Sequence, residues 1–432
     1  MISSENPVRE QLKPGDIDRR PLVPGCFVMR NGRSIAYFAD NNVELLKVDF
    51  VFEAGTALQE KKLQAASAIN LVTEGSAHHS AREIAEFMDY RGIIVEKSND
   101  EVSATLTLYF LPRYVEELLP VVAEMLFEPT YPEEELAIFV AKRRQKLLTE
   151  MQRTSFLARR RYYECLYGAT HPLGSYAVPS DFDLLTVENV RDFHDRYLTP
   201  SRMRIVIGGA VSESVLKAFD KVFGGMVADS YDAIVLPNPA DAVRGLQRVE
   251  VPGAVQNTLR VGRRLPMRWE DREYAEFMVL STVLGGYFGS RLMTNIREEK
   301  GYTYGINAVT QIYRGSLVFH IMSDVGADVA EPALDEIRKE LERLCCEPVG
   351  EDELETVRRC MLGDFMRSVD GVFERSERYC QMLTSGVDER FTDNYMSVLE
   401  EGAVTPKRLQ ELAQRLLKWS EMTVVVAGGV KS

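Results

Sequence analysis

The sequence predicts an α+β protein of two homologous domains, each an antiparallel sheet with helices packed on one face. Two observations favour this class. Segments of alternating or continuous apolar residues, typical of strands, are interleaved with segments whose apolar residues recur every three or four positions, as in helices. The second half of the chain then repeats the element order of the first. With 432 residues, 45% of them hydrophobic, the chain can form more than one core.

The repeat is visible at a constant offset of 219 residues. Phe193–Val211 (FHDRYLTPSRMRIVIGGAV) aligns with Leu412–Val430 (LAQRLLKWSEMTVVVAGGV). Pro129 aligns with Pro348 at the same offset, and each precedes an acidic helix start. Because the order of elements agrees as well, the two halves are interpreted as copies of one unit.

The predicted domains cover residues 25–225 and 247–432. Between them, residues 226–246 carry Pro237 and Pro239 and little periodicity, which is typical of a linker.

In the first half, Asn31–Gly32 between apolar flanks signals a hairpin. The Ser80–Glu83 segment is a capping box that opens a helix. Residues 102–110 alternate strictly, which predicts a strand with Ser103, Thr105 and Thr107 facing outward. The other predicted elements are a strand at 45–52, helices at 61–73, 113–127, 133–152 and 155–167, a helix capped by Thr186, a strand at 204–211 and a helix to about 222.

The second half repeats this order. Thr405–Pro406 supplies an N-cap and a first-turn proline for the last helix. The other predicted elements are strands at 247–251, 258–264, 303–313, 316–323 and 423–428, and helices at 271–284, 331–344, 352–366 and 372–382.

Composition excludes several classes of partner. The net charge of −13 and the pI near 5.2 argue against nucleic acid and anionic membrane surfaces. No run of about 18 apolar residues predicts a membrane span. The polar N-terminus predicts a cytoplasmic protein, or a periplasmic one if a leader has been removed. The six cysteines contain no C-x-x-C and are expected to be reduced.

The stretch richest in chemical signals is Gly285–Gly305, GGYFGSRLMTNIREEKGYTYG. It predicts a helix that stops at Gly301 in a left-handed cap, followed by a strand in which Tyr304 shares a face with Ile306 and Ala308. The turn can bring Arg297 and Tyr304 to one surface, where a guanidinium and a phenol can hold a peptide carbonyl.

A structural role for the same residues stays open. Arg297 can be solvated or pair with Glu298, and Tyr304 can be a packing residue with an exposed hydroxyl. A phosphate-binding loop is disfavoured, because neither G-x-x-x-x-G-K-[ST] nor G-x-G-x-x-G follows a strand here.

With these motifs, the chain resembles the insulinase-like zinc peptidases, the group of pitrilysin and the mitochondrial processing peptidases. The resemblance extends from about Phe27 to the end and is strongest in Gly285–Gly305; in the first half it rests on EGSAHHSAREIAEFMDYRG, EPTYPEEEL and HPLGS. It implies two similar domains arranged as a clam-like pair. It also implies that Arg297 and Tyr304 hold the substrate backbone near the metal.

The family's zinc chemistry requires H-x-x-E-H on a first-half helix, with two histidine ligands and a glutamate general base. An ungapped alignment places these positions on residues 66–70, so that Ala66 and Asn70 replace the histidines and Ile69 replaces the glutamate. The distal ligand falls on Lys146, or on Glu150 with a small gap. We therefore expect no metal on this chain.

Some members of the family work as pairs, which implies a function here. The chain is expected to be the substrate-binding subunit of a heterodimeric metallopeptidase that cleaves unfolded peptides, with zinc supplied by a homologous H-x-x-E-H partner. A non-catalytic scaffold subunit of a larger assembly is the alternative. A third possibility is an active peptidase with an atypical metal site at His78 and His79, near Glu83.

Overall fold

A computed structural model describes residues 22–429 of the chain. Its first sheet is formed by β1 (Gly25–Val28), β2 (Ser34–Ala39), β3 (Leu46–Phe52), β4 (Ile94–Asn99), β5 (Ala104–Phe110) and β6 (Met203–Gly209). The strands lie in the order β1-β2-β6-β3-β5-β4. Strands and helices in both halves confirm the α+β class.

The second sheet is formed by β7 (Gly245–Glu250), β8 (Gln256–Arg264), β9 (Thr303–Tyr313), β10 (Ser316–Gly326) and β11 (Thr423–Gly428). Its order, β7-β11-β8-β10-β9, reproduces β2-β6-β3-β5-β4 strand for strand. The internal repeat is therefore present in the topology. Residues 227–244, within the predicted linker, contain no helix or strand.

From residue 22 onward, the described part of the first half contains seven α-helices: α1 (Gln64–Asn70), α2 (Ala81–Tyr90), α3 (Val115–Phe127), α4 (Glu133–Glu150), α5 (Thr154–Tyr167), α6 (Val187–Tyr197) and α7 (Glu213–Phe223). The second half contains α8 (Arg272–Gly285), α9 (Ala330–Cys346), α10 (Glu351–Arg367), α11 (Val372–Ser385), α12 (Glu389–Val398) and α13 (Pro406–Leu416). A π-helix spans Met293–Glu299, and 3₁₀ turns span Thr56–Leu58, Pro112–Tyr114, Pro179–Leu184, Pro200–Arg202 and Trp419–Glu421. None of the helices within residues 22–429 is long and apolar enough to cross a membrane.

One strand pair in each sheet differs from the predicted antiparallel pattern. Strand β6 pairs in parallel with β2, and β11 pairs in parallel with β7. In each half the last strand returns after several helices, and such a long crossover permits parallel pairing. Both sheets are therefore mixed.

One face of each sheet packs on helices of its own half, as predicted. In the first half, Phe50 of β3 contacts the rings of Phe219 and Phe223 from α7. In the second half, Phe319 of β10 meets Phe277 of α8 edge to face, with ring centroids 5.3 Å apart. These contacts belong to the two largest cores of the described chain.

The opposite face of each sheet is covered by a helix from the other half. Helix α5 of the first half packs on the second sheet, where Tyr162 and Leu166 join Val425 in one apolar cluster. Helix α11 of the second half packs on the first sheet, where Val372 joins Phe38 and Val206. The offset of 219 residues superimposes α5 on α11, so the two halves exchange equivalent helices.

Two glycines allow the exchanged helices to approach the sheets closely. A Cβ on Gly262 would lie 2.5 Å from the hydroxyl of Tyr162, and a Cβ on Gly208 would lie 2.9 Å from Oγ of Ser376. The Tyr162 hydroxyl donates to the carbonyl of Phe319 at 3.1 Å. Larger residues at either glycine would push the helix away from its sheet.

Helix α11 covers side chains that the alternating pattern of residues 102–110 predicted to face outward. Ser103 and Thr107 are buried, and Thr107 donates a hydrogen bond to Asp49 at 2.7 Å. Asp49 also forms a 2.5 Å ion pair with Lys47 and accepts a hydrogen bond from the thiol of Cys380 at 3.4 Å. The prediction that Ser103 and Thr107 face solvent is wrong, because α11 covers this face of the sheet.

The ion pair of Lys47 and Asp49 should be sensitive to the loss of one partner. Burial alone would lower the pKa of Lys47, but the charge and hydrogen bond of Asp49 outweigh burial and raise it. We expect Lys47→Met to cost about 3 kcal/mol of unfolding free energy, because it leaves a buried carboxylate unpaired. Urea denaturation followed by circular dichroism measures this loss.

The matched control is Arg82→Gln, which removes the exposed ion pair with Glu86 and should change stability by less than about 0.5 kcal/mol. The double variant K47M/D49V should recover much of the loss. A Lys47→Met protein as stable as the wild type would contradict this account of the helix exchange.

Candidate substrate-binding segment and the degenerate zinc site

Helix α1 occupies the position predicted for the zinc helix, but its side chains do not fit a metal. Ile69 is fully buried in the first core. The Asn70 side chain donates to the carbonyl of Ala66 at 2.7 Å, so the amide is bound to its own helix. The side chains of Ala66, Ile69 and Asn70 are a methyl group, a buried sec-butyl group and a hydrogen-bonded carboxamide. They supply neither the two imidazole ligands nor the general base.

The predicted distal position also lacks a ligand. Lys146 lies on α4 with 64% of its side chain exposed, and its ammonium is 4.0 Å from the carboxylate of Glu150. A lysine here repels a cation. Within residues 22–429, no group of three or more histidine, cysteine, aspartate or glutamate side chains is arranged to hold a metal ion.

The pair His78 and His79 is held by a carboxylate that sequence reasoning missed. Glu124 of α3 lies 3.0 Å from Nδ1 of His79, and it accepts bonds from the backbone N–H of His78 at 2.7 Å and from Oγ of Ser76 at 2.5 Å. Glu83 instead closes the predicted capping box with Ser80, which is confirmed. Only the fold could show the link to Glu124, because it lies 45 residues from His79.

The segment Gly285–Gly305 begins with a close contact and an anchor. A Cβ on Gly285 would lie 2.6 Å from the backbone nitrogen of Ala308, so the end of α8 sits directly on β9. Arg291 then forms two bonds to the carboxylate of Glu353, at 2.9 and 2.8 Å. Because the pair is bidentate and Arg291 is largely buried, it fixes the start of the following helix.

The helix that carries Arg297 is a π-helix over Met293–Glu299, where an α-helix was predicted. The backbone N–H of Lys300 bonds the carbonyl of Asn295, five residues earlier, at 3.0 Å. The predicted cap is confirmed, since Gly301 has φ +67°. Single turns of π-helix are rare and occur frequently at functional sites.

Arg297 does not pair with Glu298 in the structure. Its guanidinium carbon lies 4.6 Å from the ring centroid of Phe288, whose side chain is 63% exposed. Stacking fixes the plane of a guanidinium and leaves its N–H groups free for an acceptor. The sequence predicted only Arg297 and Tyr304 and did not indicate Phe288. The observation that identifies Phe288 is its exposure, which the sequence does not show.

Tyr304 has 96% of its surface exposed, so it is not a packing residue. The register shifts beside it: Thr303 pairs with Val325, whereas Ile306 pairs with Ser323, so that two residues oppose one. The prediction that Tyr304 shares a face with Ile306 and Ala308 is therefore wrong. A bulge interrupts the alternation and re-aims the side chain. Ile306 and Ala308 are buried in the second core.

Residues 184–361, which include this segment, match the family model described as the peptidase M16 inactive domain. The curated relatives and the solved structures agree with this match. The chain resembles the insulinase-like (M16) peptidases over most of its length.

The uncharacterized zinc protease YmxG of Bacillus subtilis is 27% identical over 355 residues, which are 79% of this chain and 83% of that protein. The probable inactive metalloprotease YmfF of the same organism is 21% identical over 229 residues, which are 52% of this chain and 53% of that protein. A crystal structure of a peptidase M16 inactive domain from Pseudomonas fluorescens shares the fold, with a TM-score of 0.83, 20% identity, and coverage of 95% of this chain and 99% of that one.

Glu124 should make the unfolding free energy of the chain depend on pH. Burial alone would raise the pKa of Glu124, but the hydrogen bonds from Ser76, His78 and His79 lower it. Because the folded pKa lies below the unfolded value, the carboxylate stabilises the fold above the unfolded pKa, and this contribution is lost as the pH falls through the folded pKa.

We therefore expect Glu124→Gln to cost about 1.5 kcal/mol near pH 7, and we expect the difference from the wild type to shrink below about pH 4. Thermal melts over a pH series measure it. Glu86→Gln, on the exposed face of α2, is the control and should show no such trend. A difference that does not change with pH would contradict the role of the charge.

Proposed function

We propose that this chain is the zinc-free, substrate-binding subunit of a two-chain metallopeptidase for unfolded peptides. A homologous chain with an intact H-x-x-E-H helix would supply the zinc and the general base. The observation that carries the proposal is a contrast within one molecule. Helix α1 carries Ala66, Ile69 and Asn70 at the zinc-motif positions, whereas Arg297 on the π-helix and Tyr304 on β9 stay available for a ligand.

In this proposal, Arg297 binds a substrate carbonyl or carboxylate. Its stacking on Phe288 holds the guanidinium plane, so little side-chain freedom is lost on binding. The phenolic hydroxyl of Tyr304 donates a hydrogen bond to the scissile carbonyl and to the oxyanion that forms from it. An exposed hydroxyl is suited to this role, because the described chain does not occupy it before a peptide arrives.

The zinc helix and the exposed pair also differ in what they contribute to folding. Ile69 is packed in the core and stabilises the first half. Exposed Phe288 and Tyr304 gain nothing comparable from burial. Exposed aromatic side chains on a rigid element are typical of a binding surface. This supports a binding function for the second half and a structural one for α1.

The first test uses the chain reconstituted with its zinc-bearing mate. We expect Tyr304→Phe to lower kcat by about a hundredfold, because it removes one oxyanion donor. Arg297→Ala should lower kcat/KM by at least about tenfold, because it removes a charged hydrogen-bond donor. Cleavage of a quenched fluorescent peptide measures both effects.

The controls are Tyr90→Phe, an exposed tyrosine on α2, and Lys300→Ala, an exposed cation next to the π-helix. Both should cleave at the wild-type rate. Unchanged turnover in both Arg297→Ala and Tyr304→Phe would refute the proposed role and favour the scaffold subunit.

The second test concerns the metal. We expect the purified chain to hold less than about a tenth of a zinc ion per molecule, because residues 66–70 and Lys146 supply no ligand set. Mass spectrometry of the native protein measures the zinc, and the same sample should not cleave the fluorescent peptide. One zinc per chain with chelator-sensitive cleavage would instead point to a site at His78 and His79.

A further inference from the structure

A polar cavity lies between α5 and the face of the second sheet that α5 covers. Its volume is about 350 Å³. Arg260 and His320 come from strands β8 and β10, Arg159 and Tyr163 come from α5, and Tyr176 and Glu101 come from first-half loops. The cavity is thus formed by the helix exchange, and none of its lining residues belongs to Gly285–Gly305 or to α1.

Arg260 is a cation without a counter-ion in the described chain. Among residues 22–429, its buried Nε has no hydrogen-bond partner, and its Nη1 donates to the sulfur of Met322 at 3.4 Å. Asp324 of β10, two residues from the Met322 that pairs with Arg260, accepts a hydrogen bond from the hydroxyl of Thr258. Burial lowers the pKa of Arg260. An unpaired guanidinium in this position is costly unless something binds it.

His320 is a second unsatisfied group beside it. The side chain is 3% exposed, and Nδ1 has no hydrogen-bond partner within residues 22–429. Burial and the neighbouring Arg260 lower the pKa of His320 to about 4, so the imidazole is neutral at pH 7. A neutral imidazole can donate or accept one hydrogen bond at this atom.

The charges of the cavity do not cancel. Arg159 stands near Arg260 and adds a second positive charge. Glu101 supplies one carboxylate, whose pKa is raised by burial. Two guanidinium groups and one carboxylate leave an excess of one positive charge. The cavity therefore complements a ligand with a single negative charge.

The first half contains an internal comparison. Ile207 of β6 corresponds to Val426 of β11 at the offset of 219 residues; Ile207 pairs with Val48, and Val426 pairs with Leu259. Val48 and Leu259 therefore occupy equivalent sheet positions. The residues that follow them, Asp49 and Arg260, are equivalent as well.

The two equivalent positions differ in whether the charged side chain has hydrogen-bonding partners. Around Asp49, the space under the exchanged helix is filled by Lys47, Thr107 and Cys380, which all bond to the carboxylate. Around Arg260 there is a cavity, and the equivalent of Thr107 is Met322, which offers only a weak sulfur acceptor. The second half thus has the charge without its partner.

We propose that this cavity binds the carboxylate of a small organic ligand, with the carboxylate on Arg260 and His320 and the body of the ligand between Tyr163 and Tyr176. The guanidinium edge matches a carboxylate in shape and charge. Tyrosine rings and Met322 give the remaining walls an apolar character suited to a carbon skeleton. The carboxylate can belong to a free organic acid or to the C-terminal residue of a peptide. The site stands apart from the proposed peptidase function, because this chain alone forms it.

Calorimetric titration of the full chain at pH 7 tests the site with four probes: N-acetyl-Ala-Ala-Phe, its C-terminal amide, 3-phenylpropanoate and inorganic phosphate. If the source is a peptide terminus, the peptide acid binds and its amide is at least about tenfold weaker. If the source is a free acid, 3-phenylpropanoate binds and the peptide does not. The site is refuted if neither carboxylate binds, if the amide binds as tightly as the acid, or if phosphate is the preferred ligand.

The matched variants are Arg260→Gln and Arg248→Gln, which both remove an arginine from the second sheet. Arg248 forms an ion pair with Glu331 at the surface and serves as the control. Arg260→Gln should weaken the carboxylate by about tenfold or more, whereas Arg248→Gln should bind as the wild type does. Equal binding by Arg260→Gln and the wild type would overturn the proposal.

Thermal melts add a readout that does not require the right probe. Without ligand, Arg260→Gln should melt at or above the wild-type temperature, because it removes a half-buried cation that has no counter-ion in the described chain. The carboxylate that binds should raise the melting temperature of the wild type but not of Arg260→Gln. A lower melting temperature for ligand-free Arg260→Gln would show that Arg260 stabilises the fold. Arg159→Gln, which removes the other arginine of the cavity, would then test binding. Unchanged affinity of Arg159→Gln for the carboxylate would refute the site.

Discussion

The exchange of α5 and α11 is the constraint on which the rest of the structure depends. Each sheet has one face covered by helices of its own half, and a helix from the other half packs on the second face. Without α5, Val425 of β11 would be exposed. Without α11, Phe38 of β2 and the buried ion pair of Lys47 and Asp49 would be exposed. The halves therefore stabilise each other, and the ion pair of Glu53 with Arg314 adds a polar contact between them.

This mutual cover explains how the chain can carry a degenerate catalytic helix and keep its shape. Helix α1 lies on the helical face of the first sheet, where Ile69 contributes apolar surface that a catalytic glutamate would not. The Arg297 segment lies on the other half and is fixed independently by Arg291 and Glu353. The geometry of the Arg297 segment therefore does not depend on which side chains α1 carries.

The sequence predicted features that local chemistry determines. The capping box of Ser80 and Glu83 and the left-handed Gly301 each depend on a few neighbouring residues, and the repeat was visible as a constant offset. The sequence did not predict the helix exchange, the hydrogen bond between His79 and Glu124, or the bulge at Tyr304. Each of these depends on a partner distant in sequence or on a one-residue shift in register, and periodicity carries no information about either.

Divergence between the two halves is itself informative about function. In a repeat, equivalent positions begin with the same packing problem, so a position solved in one half and left unsolved in the other needs a separate reason. Asp49 has three partners beneath α11, whereas Arg260 has an open cavity beneath α5. A fold that can fill this space with bonded side chains in one half has no structural need for an unpaired guanidinium in the other, which argues that the second cavity is kept for a ligand.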